Sequence, residues 1–122
     1  MPEMSDPYER VRALCLALPE TTERLSHGEA SWFVGKRQFA TSADRHHDDR
    51  RALWLAAPPG VQEHQIQTDP ERYFRPPYVG HRGWLGAYLD VDIDWVALRS
   101  FIRLAWLSSA TPTIRRRAGV KE

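Results

Sequence analysis

From Trp95 to Trp106 the apolar residues Trp95, Leu98, Phe101, Ile102, Ala105 and Trp106 recur three and four positions apart, directly after Asp94. That spacing lays a wide apolar stripe along one helix, and Asp94 is the residue type that caps a helix start by accepting from a free backbone N–H. Such a stripe has to be covered. One other segment repeats the pattern: after Asp6-Pro7 come Tyr8, Val11, Leu14, Cys15 and Leu18, closed by Pro19. Asp6 suits the cap, Pro7 the first helical position, and Glu9 completes a capping-box spacing.

Between these two helices the apolar residues fall in short runs rich in β-favouring types. Ser31-Trp32-Phe33-Val34 and Gln38-Phe39-Ala40-Thr41-Ser42 flank Gly35-Lys36-Arg37, which reads as a β-hairpin. Ala52 to Ala57 is a third strand, stopped by Pro58-Pro59-Gly60. Val61 to Ile66 reads as a short helix, Tyr73-Phe74 as the start of a short strand, and Trp84 to Leu89 as a clear one. The polar stretch Glu20 to Glu29 reads as a loop, and the charged stretch from Asp44 to Arg50 as an exposed connection. Ser108 to Pro112 breaks the last helix, leaving Thr113 to Glu122 as a basic tail or final helical turn.

The order α-βββ-α-ββ-α does not alternate, so a doubly wound parallel sheet does not fit it. The expectation is an α+β fold: an antiparallel sheet of about five strands with helices packed on it. With no repeat, linker or low-complexity tract, residues 1–122 read as one domain, with flexible ends at 1–5 and 118–122.

Composition narrows the function classes. At 42% hydrophobic and 27% charged, with five Trp, the chain has material for a core and is not of the disordered type. No apolar run is long enough to span a bilayer, and the polar, acidic start is the reverse of a secretory signal, so the expected compartment is the cytoplasm with no membrane partner. The lone Cys15 can form neither an internal disulfide nor a thiolate zinc site, and its place on an apolar helix face marks it as a small buried residue. Net charge is +1. Its distribution is uneven: the first 29 residues are acid-rich, whereas Arg99, Arg103, Arg115, Arg116, Arg117 and Lys121 run to the end with no acid before Glu122.

No phosphate-cradling glycine loop, nucleophile elbow or metal helix is present. His46-His47-Asp48-Asp49 holds metal-ligand types, but adjacent loop residues rarely converge on one ion, and it reads as a solvated connection. Neither a metal nor a cofactor is expected, nor a catalytic residue. Two segments set polar groups among aromatics: Leu25-Ser26-His27-Gly28-Glu29, leading into Trp32, and Arg75 to Trp84, dense in Pro, Gly, Tyr, His and Trp.

These residues resemble a known family. Leu18-Pro19-Glu20-Thr21-Thr22-Glu23, His27-Gly28-Glu29, Trp32-Phe33-Val34 with Gly35-Lys36, and Phe39-Ala40 are similar to the opening of MmcQ/YjbR-like proteins. Tyr78-Val79-Gly80-His81-Arg82-Gly83-Trp84-Leu85, Asp94-Trp95 and the closing Ser108, Ala110 and Pro112 continue the likeness, which runs from about Tyr8 to Arg117. Near Trp106 to Ser109 the chain lacks the Ser-Tyr pair of many members, so no role is carried over to that tyrosine. The resemblance implies a small α+β sandwich similar to CyaY-like and secretion-chaperone-like folds. It also implies a DNA-binding label, through a double wing of hairpins, and no catalytic motif.

Two functional expectations follow. The first is weak, largely sequence-independent contact with double-stranded DNA phosphates, through Lys36 and Arg37 at a turn tip, with Arg45, Arg50, Arg51, Arg115, Arg116 and Arg117 around them. The alternative is a small-molecule or peptide site lined by His27, Trp32, Tyr78, His81, Arg82 and Trp84, with Arg82 fixing an anionic group. A chain of this kind is expected as a monomer or weak homodimer.

Overall fold

The computed structural model describes residues 6–45 and 48–120. Along it run α1 (Pro7–Leu16), β1 (Thr21–Ser26), β2 (Glu29–Val34), β3 (Arg37–Asp44), β4 (Arg51–Leu55), α2 (Val61–Thr68), β5 (Tyr73–Phe74), β6 (Leu85–Tyr88), α3 (Trp95–Ser109) and α4 (Pro112–Arg117). The strands form one antiparallel, six-stranded sheet in the order β1-β2-β3-β4-β6-β5. The α+β class and the position of both long helices are as the sequence predicts. His46, His47 and the outermost residues of both ends lie outside the described residues.

The sequence reading of Glu20 to Glu29 as a loop is corrected here, because β1 occupies most of it. Only Leu25 in that stretch is apolar, and it is 75% exposed. An edge strand can form without a buried alternating face, because pairing from Thr21↔Val34 to Ser26↔Glu29 supplies its backbone bonds and Glu23 and Arg24 blunt the free edge. His27 and Gly28, both at positive φ, close a tight two-residue turn into β2.

Cross-strand register sorts the side chains into two faces. Trp32, Ala40, Leu55 and Leu85 form one row, and Leu53 and Ala87 lie in the next row on the same face; all are buried. This face meets α1 through Val11 and Cys15, and α3 through Leu98, Ile102, Ala105 and Trp106. A bulge between β2 and β3 inserts Phe39 beside Ala40, and both are wholly buried. The Trp106 indole donates to the Pro19 carbonyl at 2.9 Å, tying α3 to the corner after α1.

The other face carries the row Ser31, Thr41, Trp54, Gly86 and Phe74. Phe74 lies over Gly86, where any Cβ would come within 2.5 Å of its ring, and it stacks on Tyr88 at 4.5 Å. Among the described residues, α1 and α3 pack on the opposite face and leave the Thr41–Trp54 part of this one without a helix over it. Instead the segment 75–84 arches beside it, held from behind by the buried Gln62 of α2, whose amide donates to the Gly80 and Trp84 carbonyls at 2.8 and 2.7 Å. A short 3-10 turn, Gly80–Arg82, lies within the arch.

At the far end of the sheet, Gly35 in the β2–β3 turn has φ +59°, and a Cβ there would come 2.9 Å from Ile114 Cδ1. The turn thus accepts α4 directly against its backbone. That contact brings the hairpin tip and the basic tail together.

Candidate functional site

The open face, the β1–β2 turn and the 75–84 arch enclose a cleft of about 480 Å³. Thr41 and Trp54 lie on its sheet side, with Gln38 at one end of β3. His27 and Ser26 come from the turn, and Tyr78, Arg82 and Trp84 from the arch. Ser26 Oγ lies 3.2 Å from His27 Nδ1, a contact that steadies the imidazole on the turn. Glu29 lies at the same end, its carboxylate accepting from Ser42 Oγ at 2.8 Å and from the Asp44 N–H at 3.2 Å. The Arg82 guanidinium lies 5.6 Å from the Trp84 ring. His27 and Tyr78 have φ of +54° and +66°, in the left-handed region that residues with a Cβ seldom occupy.

Of the predicted ligand-binding residues, folding brings His27, Tyr78, Arg82 and Trp84 to this one cleft. Trp32 is not among them. It is 1% exposed in the row of β2 that meets the helices, and its indole donates to Glu23 Oε1 at 3.0 Å. His81 is exposed on the 3-10 turn and does not line the cleft. Trp54 was missed by the site reading, yet its signal was in the sequence: Leu53 and Leu55 are core residues, so strand alternation puts Trp54 on the opposite face.

The predicted DNA-contacting residues separate into two groups at opposite ends of β3. Its eight residues span roughly 23 Å at strand rise. Arg45, Arg50 and Arg51 are at one end. Arg50 makes a two-pronged pair with Asp90, both bonds 2.8 Å, and lies over the Tyr88 ring. Those bonds hold the Asp90 carboxyl below the usual aspartate value. Arg51 meets Asp6 at 3.1 Å, and Arg45 meets Asp44 at 3.1 Å.

At the other end are Lys36, Arg37 and the α4 arginines. Arg117 grips Glu20 with bonds of 2.9 and 2.6 Å, which lower the Glu20 pKa. Arg115 caps α3, donating to the Ala110 carbonyl at 2.6 Å. Lys36, Arg37 and Arg116 have no carboxylate within ion-pair distance among the described residues.

Also among the described residues, no cluster of His, Cys, Asp and Glu could hold a metal, and no helix is long and apolar enough to cross a membrane. A wider groove of about 830 Å³ follows the α1–α3 seam past Leu14, Leu18 and Val96, with guanidiniums on its rim. Trp95 and Ser100 line it as well, with Arg10 over the Trp95 ring at 4.4 Å, and among the described residues none of the predicted ligand-binding residues reaches it.

Comparison with solved structures places the fold beside the crystal structure of Deinococcus radiodurans protein DR2400, a DUF419 domain. The TM-score is 0.76 at 19% identity, covering 97% of this chain and 94% of that one. No curated protein matches the chain. The YjbR family model matches residues 16–108, which include the cleft residues from Ser26 to Trp84. The chain belongs to the YjbR family.

Proposed function

We propose that this protein is a binding module for a small, ring-bearing molecule, held in the cleft between the β1–β2 turn and the arch. The carrying observation is the backbone at Tyr78, a residue with a Cβ at φ +66° that is 70% exposed at the cleft rim. A left-handed non-glycine residue costs of order 1–3 kcal/mol and persists only where its surroundings impose it. The two Gln62 bonds supply that imposition for the arch.

The chemistry of the lining agrees with this reading. Trp54 and Tyr78 bring rings to the cleft lining, Trp84 closes its inner wall at 6% exposure, and His27, Thr41 and Gln38 bring donors and acceptors that can orient the guest. About 480 Å³ is within the ordinary range for small-molecule sites. The duplex-DNA reading draws less support. Arg45, Arg50, Arg51 and Arg117 are engaged by carboxylates and Arg115 by carbonyls, and the other three of the predicted set, Lys36, Arg37 and Arg116, gather at one end of the sheet.

Phenol titrated into ¹⁵N-labelled protein tests the proposal. Saturable shifts of the Trp54 and Trp84 indole signals, lost in Tyr78→Ala, are expected. Shifts that never saturate, or that map to the α1–α3 seam, would overturn it.

A further inference from the structure

Beside the cleft, and sharing Gln38, Arg82 and Trp84 with it, lies a second recess of about 400 Å³. Its other polar lining is Arg37 from the first position of β3, with Ser108 and Ser109 from the last turn of α3. Among the described residues no carboxylate lines this recess. We infer that it is an oxyanion subsite for a phosphate group, and that the guest of the proposed cleft is a phosphorylated ring compound. This rests on the reading of the cleft as a ring site, and it adds the chemical class of the ligand.

Three features carry the inference. First, Arg37 and Arg82 come from elements far apart in sequence yet line the same recess. Among the described residues neither guanidinium meets a carboxylate, although arginines elsewhere in the molecule are paired with acids. Two fixed positive charges match the charge of a phosphate monoester near neutral pH, and guanidinium forks match its oxygens. The Gln38 amide and the serine hydroxyls can donate to further oxygens.

Second, the carbonyl end of α3 would ordinarily repel an anion close to Ser108 and Ser109. Here Arg115 donates to the Ala110 carbonyl at 2.6 Å and so offsets that end. The contact between Ile114 and the Gly35 turn carries α4, with Arg115 and Arg116, to this corner of the molecule.

Third, the shared wall is itself bifunctional. Arg82 and Trp84 belong to both recesses, so one guest can place its ring by Trp84 and its anion by Arg82. A ring and a phosphate joined by a short link would then gain from both sites at once.

The test uses three probes with the full-length protein: phenol, inorganic phosphate, and phenyl phosphate, followed by calorimetry and tryptophan fluorescence. Phenyl phosphate is expected to bind at least tenfold tighter than either fragment. Arg37→Gln should weaken phenyl phosphate and inorganic phosphate by tenfold or more and leave phenol within twofold, with Arg37→Lys restoring part of the loss. Phenyl phosphate binding no tighter than phenol, or unmoved by Arg37→Gln, overturns the phosphate subsite while the ring cleft stands. Phosphate binding that depends on Arg37, with no phenol binding at all, supports the subsite and removes the ring cleft. Retained thermal unfolding of Arg37→Gln, an exposed position, separates lost binding from lost structure.

Discussion

The side-chain amide of Gln62 donates to the main-chain carbonyl of Trp84 at 2.7 Å, and the same nitrogen reaches the Gly80 carbonyl at 2.8 Å. A glutamine in a short helix thus positions the arch that forms one wall of the cleft. Replacing it by leucine keeps the bulk and removes the donor, leaving two carbonyls short of a partner. Gln62→Leu should cost ~1–3 kcal/mol in urea denaturation. Hydrogen exchange should accelerate across residues 78–84 while the β3–β4 amides stay protected. A uniform rise in exchange would show that Gln62 supports the whole fold rather than the arch.

Gly86 is the position of closest approach between the sheet and Phe74. A Cβ there would lie 2.5–2.6 Å from three ring atoms, so Gly86→Ala must displace Phe74 from its stack on Tyr88. The expected cost is ~1–3 kcal/mol of overpacking strain. Adding Phe74→Ala to Gly86→Ala should recover much of it, because the clash has a single source. A double-mutant cycle with no coupling between the two sites would contradict this packing.

Which parts of this were legible beforehand follows from how each residue is stabilised. The α1 and α3 stripes and the strands around Trp32, Leu53 and Leu85 announce themselves because burial imposes a period on the sequence. β1 does not, because an edge strand held by backbone pairing leaves Leu25 exposed and carries no apolar alternation in its sequence. The cleft was half visible: proline and glycine around Tyr78 marked a constrained path, but the partner wall at His27 lies about fifty residues earlier, and only sheet register brings them together. Trp32 misleads by proximity to His27, since strand alternation sends it to the helical face. The arginine pairings are invisible in sequence because Arg50–Asp90 and Arg117–Glu20 join residues brought close only by folding.

The Arg50–Asp90 pair sets an acid dependence of stability. Asp90 has its carboxyl pKa lowered by hydrogen bonds from Arg50. A lowered folded-state value contributes stability above the unfolded aspartate pKa, and that contribution is lost as pH falls through the folded value. Asp90→Asn should therefore destabilise the protein near pH 7, by ~0.2–1 kcal/mol for a pair this exposed. The gap from the parent should close as pH is lowered below about 4, the ordinary aspartate value. A gap that persists at low pH would assign the effect to lost packing instead.

Cys15 supplies a clean probe of global opening, because it is the sole cysteine and is wholly buried between α1 and the sheet. Burial pushes its thiol pKa far up, with Glu23 adding to the rise. Reaction with a thiol reagent at pH 8 then requires the helix to leave the sheet. Labelling should be slower than in denaturant by a factor of about 10³ or more, as for the most protected core amides. Rapid labelling with the fold otherwise intact would show that α1 detaches independently.

Duplex DNA discriminates the basic surface as folded from the one that composition suggests. Of the cations predicted to contact DNA, Lys36, Arg37 and Arg116 have no carboxylate partner among the described residues, and they lie at the α4 end of the sheet. Three phosphate contacts would give a slope of about −3 for the logarithm of affinity against that of salt concentration, whereas engagement of all eight proposed cations would approach about −7. The expected slope is no steeper than about −3, with Arg37→Gln reducing it and Arg50→Gln leaving it unchanged. Arg50 stays occupied because releasing it would strand the Asp90 carboxylate and give up the contact with Tyr88. A slope near −7 with equal losses at Arg45, Arg50 and Arg117 would mean that DNA outcompetes these internal pairs, and would restore the nucleic-acid reading of the whole surface.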